Sequence, residues 1–167
     1  MLKKFLLAIA VALPMFASAQ AKFGTVDVEA IITVMPEFTE AQNQIAEASK
    51  KYEATYKGLQ DELNKLYAEF QQLNSDPSTP QSIKDLRIQD IQDKDERSKQ
   101  FLQTAQQDLE RQNAQLMQPI QEKVVNTIKA VGTENGFTMI FPVGVSVFDS
   151  ADVVDVTPLI KAKLGIQ

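Results

Sequence analysis

Residues 38–73 read FTEAQNQIAEASKKYEATYKGLQDELNKLYAEFQQL, and this stretch decides the fold. One set of its apolar residues recurs at strict seven-residue intervals: Phe38, Ile45, Tyr52, Leu59, Leu66 and Leu73. A second set fills the +3 positions early and the +4 positions later: Ala41, Ala48, Tyr56, Leu63 and Phe70. A narrow apolar seam that repeats every seven residues is typical of a coiled coil.

A second helical stretch follows and carries a looser seam. Its members are Leu86, Ile91, Ser98, Leu102, Ala105, Leu109, Leu116, Ile120, Val124, Ile128 and Val131. Residues 74–82 lie between the two stretches and hold two prolines with several hydrogen-bonding side chains, which predicts a turn. Two helices joined by a short turn form an antiparallel hairpin. We therefore predict helix A at 37–73 and helix B at 83–118, each roughly 55 Å long at 1.5 Å per residue.

The arm predicted here returns to its base near Pro119. Proline removes a backbone donor, so we expect a kink in helix B at this point. Residues 120–131 beyond it are rich in Ile and Val and suit a globular base. Before the arm, residues 23–27 predict a strand, with Asp27 as the N-cap of a short helix that ends at 35–36.

The C-terminal part returns to β-type sequence. Residues 137–141 and 145–148 are apolar and β-prone, and a Pro-Val-Gly turn separates them. This pattern predicts a β-hairpin. The chain then ends in a helix, with Thr157 as N-cap, Pro158 at the first helical position and Gly165 closing the helix.

These elements predict an α+β fold, in which a small β-rich body (20–36 and 119–167) carries an antiparallel coiled-coil hairpin arm (37–118, with its tip at 74–82). The residues expected in the core or oligomer interface of the body are Phe23, Val26, Val28, Ile31, Phe137, Met139, Phe141, Val145 and Val147. Residues 92–100 contain no apolar side chain, so the single seam of the arm is weak. The body is also predicted to have only a small core, because it consists of three strands and two short helices. Both features favour self-association through the body over a monomer.

Residues 1–20 read MLKKFLLAIAVALPMFASAQ and have the form of a secretory signal peptide. Two lysines precede a short apolar run, and an Ala-Ser-Ala motif follows it. The run is too short for a transmembrane anchor, which needs about 20 residues. We expect cleavage after Ala19 or after Ala21, with residues 1–19 as the signal peptide. The mature chain is then expected to work outside the cytoplasm, without stable membrane insertion.

Composition excludes several classes of protein. The chain of 167 residues contains no Cys and no His, so disulfides, zinc fingers, thiol catalysis and imidazole acid–base chemistry are excluded. A formal net charge of −5 argues against nucleic acid as a partner, and no P-loop motif is present to bind a nucleotide. Asp149, Asp152 and Asp155 lack the spacing of a Ca²⁺ loop. We expect no metal, no cofactor and no enzymatic activity.

Three segments carry a resemblance to a known family. They are the strand at 23–27 with its apolar helix, residues 130–137, and residues 148–157, whose Asp-Val-Thr step is similar to a D-I-T element. Together with the signal peptide and the long Gln-, Lys- and Glu-rich hairpin, they resemble the Skp/OmpH family of periplasmic chaperones. The resemblance covers essentially the whole mature chain, and its ends are more specific than its helical middle.

The resemblance implies a homotrimer in the periplasm of a Gram-negative envelope. Its β segments would combine into a central body, and three arms would enclose a cavity. That cavity would hold unfolded outer-membrane β-barrel proteins and prevent their aggregation, without ATP. The best-known members of the family are basic, whereas this chain has 17 Lys and Arg against 22 Asp and Glu. We therefore do not carry over a lipid- or lipopolysaccharide-binding role.

Three residues off the seam are the better candidates for contact with such clients: Tyr67, Ile88 and Phe101. Met117 and the seam residue Phe70 are added to these candidates. The seam residues are expected to hold helices A and B together, and Glu53–Lys57 and Asp61–Lys65 are expected to pair along the exposed face. A structural coiled-coil spacer or adaptor of the cell envelope is the alternative, since it would keep the elongated oligomer without binding clients. An enzyme using paired carboxylates lacks any supporting constellation.

Overall fold

The structure is a computed structural model that describes residues 21–166. In chain order the elements are β1 (Phe23–Val26), α1 (Val28–Ile32), α2 (Pro36–Ser75), α3 (Gln81–Glu134), β2 (Met139–Pro142), β3 (Val154–Asp155) and α4 (Thr157–Leu164). The predicted α+β class, with a long helical hairpin and a small sheet, is confirmed. The predicted signal peptide lies outside the described residues.

The helices α2 and α3 pack antiparallel along most of the predicted seam. Its most enclosed side chains are Ala41 and Leu63 on α2 with Ile91, Ser98 and Ala105 on α3. Two seam assignments were wrong, because Leu86 is 59% exposed and Leu102 is 44% exposed. Leu86 lies five residues before Ile91, which is about 140° around the helix and so points away from the seam. Leu102 borders an open groove instead of being enclosed.

Helix α3 is longer than helix B was predicted to be. It continues without interruption through Pro119 to Glu134, so the arm and part of the body share one helix. Ile120, Val124 and Val131, which follow the proline, are buried in the core of the body, as the Ile- and Val-rich composition of 120–131 indicates. The bend at Pro119 stays a prediction.

The sheet has three parallel strands in the order β2-β1-β3. Strand β1 pairs with β2 from Phe23 opposite Met139 to Val26 opposite Pro142. It pairs on its other edge with β3, where Gly24 lies opposite Val154. Such pairing joins segments that are far apart in sequence, so the two ends of the chain close around the base of the arm.

The predicted hairpin of 137–141 with 145–148 was therefore wrong. Strand β2 pairs with β1, and residues 145–148 form no strand. The chain stays attached to β1 just past β2, because the Val143 N–H donates to the Val26 carbonyl at 2.9 Å. Gly144, at φ +84°, then directs the chain away. Val145 and Val147 are consequently left exposed, without cover from other residues in the described part of the chain.

The core of the body lies between the sheet, the base of the arm and α4. Its fully buried side chains include Val26, Ile31, Met35, Val124, Val156 and Ile160. Gly24 is needed for this packing, since a Cβ there would lie 3.0 Å from the Phe137 ring and 3.1 Å from the Val154 carbonyl oxygen. The strand is thus held close to its neighbours by the absence of a side chain.

Capping agrees with prediction at one helix and differs at another. Asp27 caps α1, because its carboxylate accepts the Ala30 N–H at 2.8 Å. Thr157 is not an N-cap: it is the first residue of α4, and the Asp155 carboxylate accepts its N–H at 2.9 Å. The Thr157 hydroxyl instead accepts the Asp27 N–H. Gly165 ends α4 at φ +73°, as predicted.

Candidate functional site

The predicted client-contact residues lie at three levels of the arm. Tyr67, 47% exposed, Ile88, 39% exposed, and the half-buried Phe70 belong to the outer part of the arm, where the Arg87 guanidinium pairs with Glu69 at 3.4 Å. Phe101 lies nearer the middle of the arm. Met117 lies at the base and packs against the core of the body. The structure thus distributes these side chains along the arm and does not gather them into one patch.

Phe101 contributes to an open groove that we call the mid-arm groove. Its volume is about 300 Å³, and it lies between Ser49, Tyr52 and Tyr56 of α2 and Phe101, Leu102 and Leu109 of α3. The rings of Tyr52 and Phe101 meet edge-to-face with their centroids 6.0 Å apart, a favourable arrangement for aromatic pairs. Tyr52, Tyr56 and Leu109, which were predicted in the seam, are half-buried and line this groove, which the seam prediction did not foresee.

A polar cluster centred on Asp108 lies beside this groove. The Tyr52 hydroxyl donates to the Asp108 carboxylate across the two helices. Gln112 Nε2 donates to the same carboxylate at 2.6 Å, and the Arg111 guanidinium also pairs with it. A hydrogen-bonded polar pair in a coiled-coil seam favours one register, because sliding the helices would leave its members unpaired.

Ion pairs between the helices support the same alignment. Lys123 pairs with Glu37 near the base, and Lys94 pairs with Glu62 further out. The hydrogen bond from Lys123 lowers the pKa of the Glu37 carboxyl, and that from Lys94 lowers the pKa of Glu62. These carboxylates are exposed, so each pair stabilises the arm only slightly.

The two ion pairs predicted within helix A do not form. Among residues 21–166 neither Glu53–Lys57 nor Asp61–Lys65 comes within ion-pair distance. Exposed pairs of this kind gain little in water, and they lose side-chain entropy when they form. Glu53 instead accepts a hydrogen bond from the Ser49 hydroxyl at 3.4 Å.

A second groove lies at the base of the arm. Its volume is about 690 Å³, and it is lined mainly by apolar atoms of Pro36, Ala41, Leu116, Pro119 and Ile120. The ion pair of Glu37 with Lys123 borders it. This groove lies next to the body, and the base groove and mid-arm groove together leave apolar surface accessible at two levels of the hairpin.

The body also presents apolar side chains to solvent. Of the residues predicted for its core or interface, Val26 and Ile31 are buried, and Val28 and Phe137 pack partly against the core. The exposed members of that prediction are Phe23, Met139, Phe141, Val145 and Val147. Phe148, which the prediction omitted, is 81% exposed, and its place at the end of an apolar alternation was the signal that could have found it. In a single chain, this surface has no partner among the described residues.

Other kinds of site find no support within the part of the chain that the structure describes. No group of three or more Asp or Glu residues there is arranged to hold a metal ion. Asp155 has a structural contact in the cap of α4, as given above. No helix among residues 21–166 combines the length and apolarity needed to cross a membrane.

The fold defines a class of protein in which a long antiparallel helical hairpin projects from a small parallel sheet. A family model described as "Outer membrane protein (OmpH-like)" matches residues 22–164. The match spans the sheet and the whole arm, and the chain belongs to the OmpH-like family. A comparison with curated proteins finds no match.

Proposed function

We propose that the protein is an ATP-independent periplasmic holdase that binds unfolded outer-membrane proteins and prevents their aggregation. The observation that carries this proposal is the hairpin itself. Two helices of 40 and 54 residues present separate apolar patches along a charged, solvated surface. Separate patches offer weak and adaptable contacts, whereas one continuous apolar surface would itself promote aggregation. Membership of the OmpH-like family supports the same function.

The working form that we propose is a homotrimer assembled through the body. Strands β2 and β3 are both edges of the sheet, and unpaired edges readily accept strands from other chains. The exposed Met139, Phe141, Val145, Val147 and Phe148 adjoin one of these edges in sequence and would be covered by a neighbouring copy. A head-to-tail interface of this type closes into a ring when the rotation between copies allows it.

Three arms hanging from one body would surround a space for a single unfolded chain. Tyr67, Phe70, Ile88, Phe101 and Met117 are the residues that we propose for contact with the client. Their distribution along the hairpin suits a client that has no fixed shape, because many weak contacts can form and break independently. Capture by such contacts requires neither a nucleotide nor a catalytic group.

An aggregation assay tests this function. A urea-denatured outer-membrane β-barrel protein is diluted into buffer with no nucleotide, and its light scattering is followed with and without the protein. The wild type is expected to suppress the scattering near a ratio of three chains to one client. The double variant Tyr67→Gln/Phe101→Gln is expected to suppress it less well.

The result also separates the holdase from the alternative of a structural spacer. A spacer would keep the elongated oligomer but leave the scattering of the β-barrel protein unchanged. It would also make the double variant indistinguishable from the wild type. Circular dichroism of both proteins supplies the control, since the helical content must be equal for the comparison to report on binding.

A further inference from the structure

The mid-arm groove combines an apolar floor with an acidic rim. Its floor is formed by Tyr52, Tyr56, Phe101 and Leu102, and its volume of about 300 Å³ is at the lower end of the range for ligand pockets. Because Leu102 is 44% exposed, the groove is open along the surface of the arm. Such a groove has room for one or two side chains of an extended segment and excludes a folded domain.

Two carboxylates, Glu53 and Glu110, stand among the residues that line the groove, and no lysine or arginine does. Each carboxylate accepts a hydrogen bond from a neutral group on its own helix. Glu53 accepts from the Ser49 hydroxyl at 3.4 Å, and Glu110 accepts from Gln106 Nε2 at 3.2 Å. Neither takes part in an ion pair within residues 21–166.

Basic residues close in sequence form no ion pair with the two carboxylates of this rim. The Arg111 guanidinium is paired with Asp108, and Lys57, one turn along from Glu53, does not line the groove. The groove therefore presents apolar surface bordered by two carboxylates that form no ion pair among residues 21–166. A ligand that complements both properties has an apolar or aromatic side chain with positive charge beside it.

We propose that the mid-arm groove binds segments of unfolded clients in which an aromatic or large aliphatic side chain is flanked by lysine or arginine. The apolar side chain enters between Tyr56 and Leu102, and the flanking cations pair with Glu53 and Glu110. A cation next to a tyrosine or phenylalanine face gains a further electrostatic attraction. This inference rests on the holdase function and specifies which client segments the arm prefers.

A second copy of the chain is a poorer occupant of the groove. Contact between the same faces of two arms would bring Glu53 and Glu110 against their own equivalents, and like charges at close range repel. The chain as a whole carries a formal net charge of −5, which adds to this repulsion. A cationic segment meets no such opposition.

Two synthetic peptides of equal length test the preference. Both carry a fluorescent label and the same Leu-Tyr-Phe core; one has two lysines on each side, and its twin has two glutamates on each side. Fluorescence anisotropy with the full-length mature protein measures the dissociation constant of each. The lysine-flanked peptide is expected to bind at least tenfold more tightly at low salt, with the difference shrinking as salt is added. Equal binding of the twins would overturn the proposal.

Variants that remove charge test whether the preference for the lysine-flanked peptide arises in the mid-arm groove. The double variant Glu53→Gln/Glu110→Gln is expected to weaken binding of the lysine-flanked peptide by about threefold to tenfold. The control Glu47→Gln/Glu96→Gln makes the same change of charge at exposed positions outside the groove. It should leave the dissociation constant within twofold of the wild type. Equal loss in both variants would mean that the overall charge of the chain is responsible, and would contradict a site in the groove.

Apolar variants test the floor of the groove. Leu102→Gln removes a groove residue whose exposure makes a folding defect small, and Leu86→Gln makes the same change at an exposed position outside the groove. Only Leu102→Gln is expected to weaken the peptide complex. If both variants bind as the wild type does, the peptide lies elsewhere and the proposal is wrong.

The aggregation assay keeps this inference separate from the proposed function. If the protein suppresses aggregation but binds the two peptides equally, the holdase function is supported and the proposed preference of the groove is wrong. If the protein does not suppress aggregation, the proposed holdase function is itself wrong. Light scattering of Glu53→Gln/Glu110→Gln alone completes the test, because a rise in oligomer mass would identify a second copy as the occupant and overturn the inference.

Discussion

The backbone N–H of Asp27 donates a hydrogen bond of 2.9 Å to the hydroxyl of Thr157. These two residues are separated by 130 positions, and the bond joins the N-cap of α1 to the first turn of α4. Thr157 is buried, so water does not readily replace its hydroxyl as an acceptor. This contact therefore fastens the first and last segments of the body to each other across the base of the arm.

Replacing Thr157 by valine is expected to destabilise the body. The substitution keeps the shape of the side chain but leaves the Asp27 N–H without its acceptor, which costs about 1–3 kcal/mol for a buried group. Urea unfolding at one fixed protein concentration measures the loss. Thr138→Val is the matched control, because the exposed Thr138 hydroxyl accepts the Lys22 N–H at 3.2 Å where water can substitute for it. Equal losses in the two variants would contradict the role given to Thr157.

Replacement of glycine by alanine is expected to change the stability in opposite directions at two positions. Gly24→Ala would bring a Cβ to 3.0–3.1 Å of Phe137, the Val154 carbonyl and Val156, so we expect a loss of about 1–3 kcal/mol from overpacking. Gly58 lies inside α2, and beyond its chain neighbours and the surrounding helix backbone a Cβ there would meet no described atom within 4 Å. Gly58→Ala is therefore expected to stabilise the protein by about 0.5–1 kcal/mol. Thermal unfolding of both variants checks the signs, and a stabilised Gly24→Ala protein would refute the close packing of β1.

The arm could be predicted from sequence because the pattern that indicates it lies within a single stretch of the chain. Spacing of Phe38, Ile45 and Tyr52 fixes a seven-residue repeat without reference to any other part of the chain. The sheet could not be predicted in the same way, because β1 pairs with two strands that lie more than a hundred residues further along the chain. Alternation at 145–148 indicated a strand, but a sequence does not state whether such a segment pairs within its own chain.

Prediction of the site was limited for a related reason. Tyr67 and Ile88 were recognised as off-seam residues, and the structure exposes them. The mid-arm groove arises from how Tyr52, Phe101 and Leu102 meet across two helices, which depends on the register between them. That register follows from contacts such as Tyr52 with Asp108, and no single helix encodes it.

Ser98 is expected to be a weak point in the seam. Its side chain is 2% exposed, and its hydroxyl has no hydrogen-bond partner among the described residues. Ser98→Ala removes this unsatisfied group and is expected to stabilise the protein by about 1 kcal/mol. Ser49→Ala gains the same helix propensity but gives up a hydrogen bond to Glu53, so its effect should be smaller. If the two variants have equal urea midpoints, the hydroxyl of Ser98 is satisfied in solution.

Acid is expected to weaken the arm through Glu37 and Glu62. Their pKa values are lowered in the folded state, so their contribution to stability is complete above the unfolded value of about 4.3. It is lost as the pH falls through the lower folded values. The variant Glu37→Gln/Glu62→Gln should therefore be less stable than the wild type at pH 7 and equal to it in strong acid. A stability difference that persists unchanged at low pH would contradict these ion pairs.

The mass of a complex between the protein and one unfolded client tests the holdase most directly. A urea-denatured outer-membrane β-barrel protein is diluted into the mature protein without nucleotide, and the mixture is separated by size exclusion with multi-angle light scattering. We predict one soluble species whose mass equals three chains and one client. Elution of the protein alone, with the client precipitated, would contradict the account.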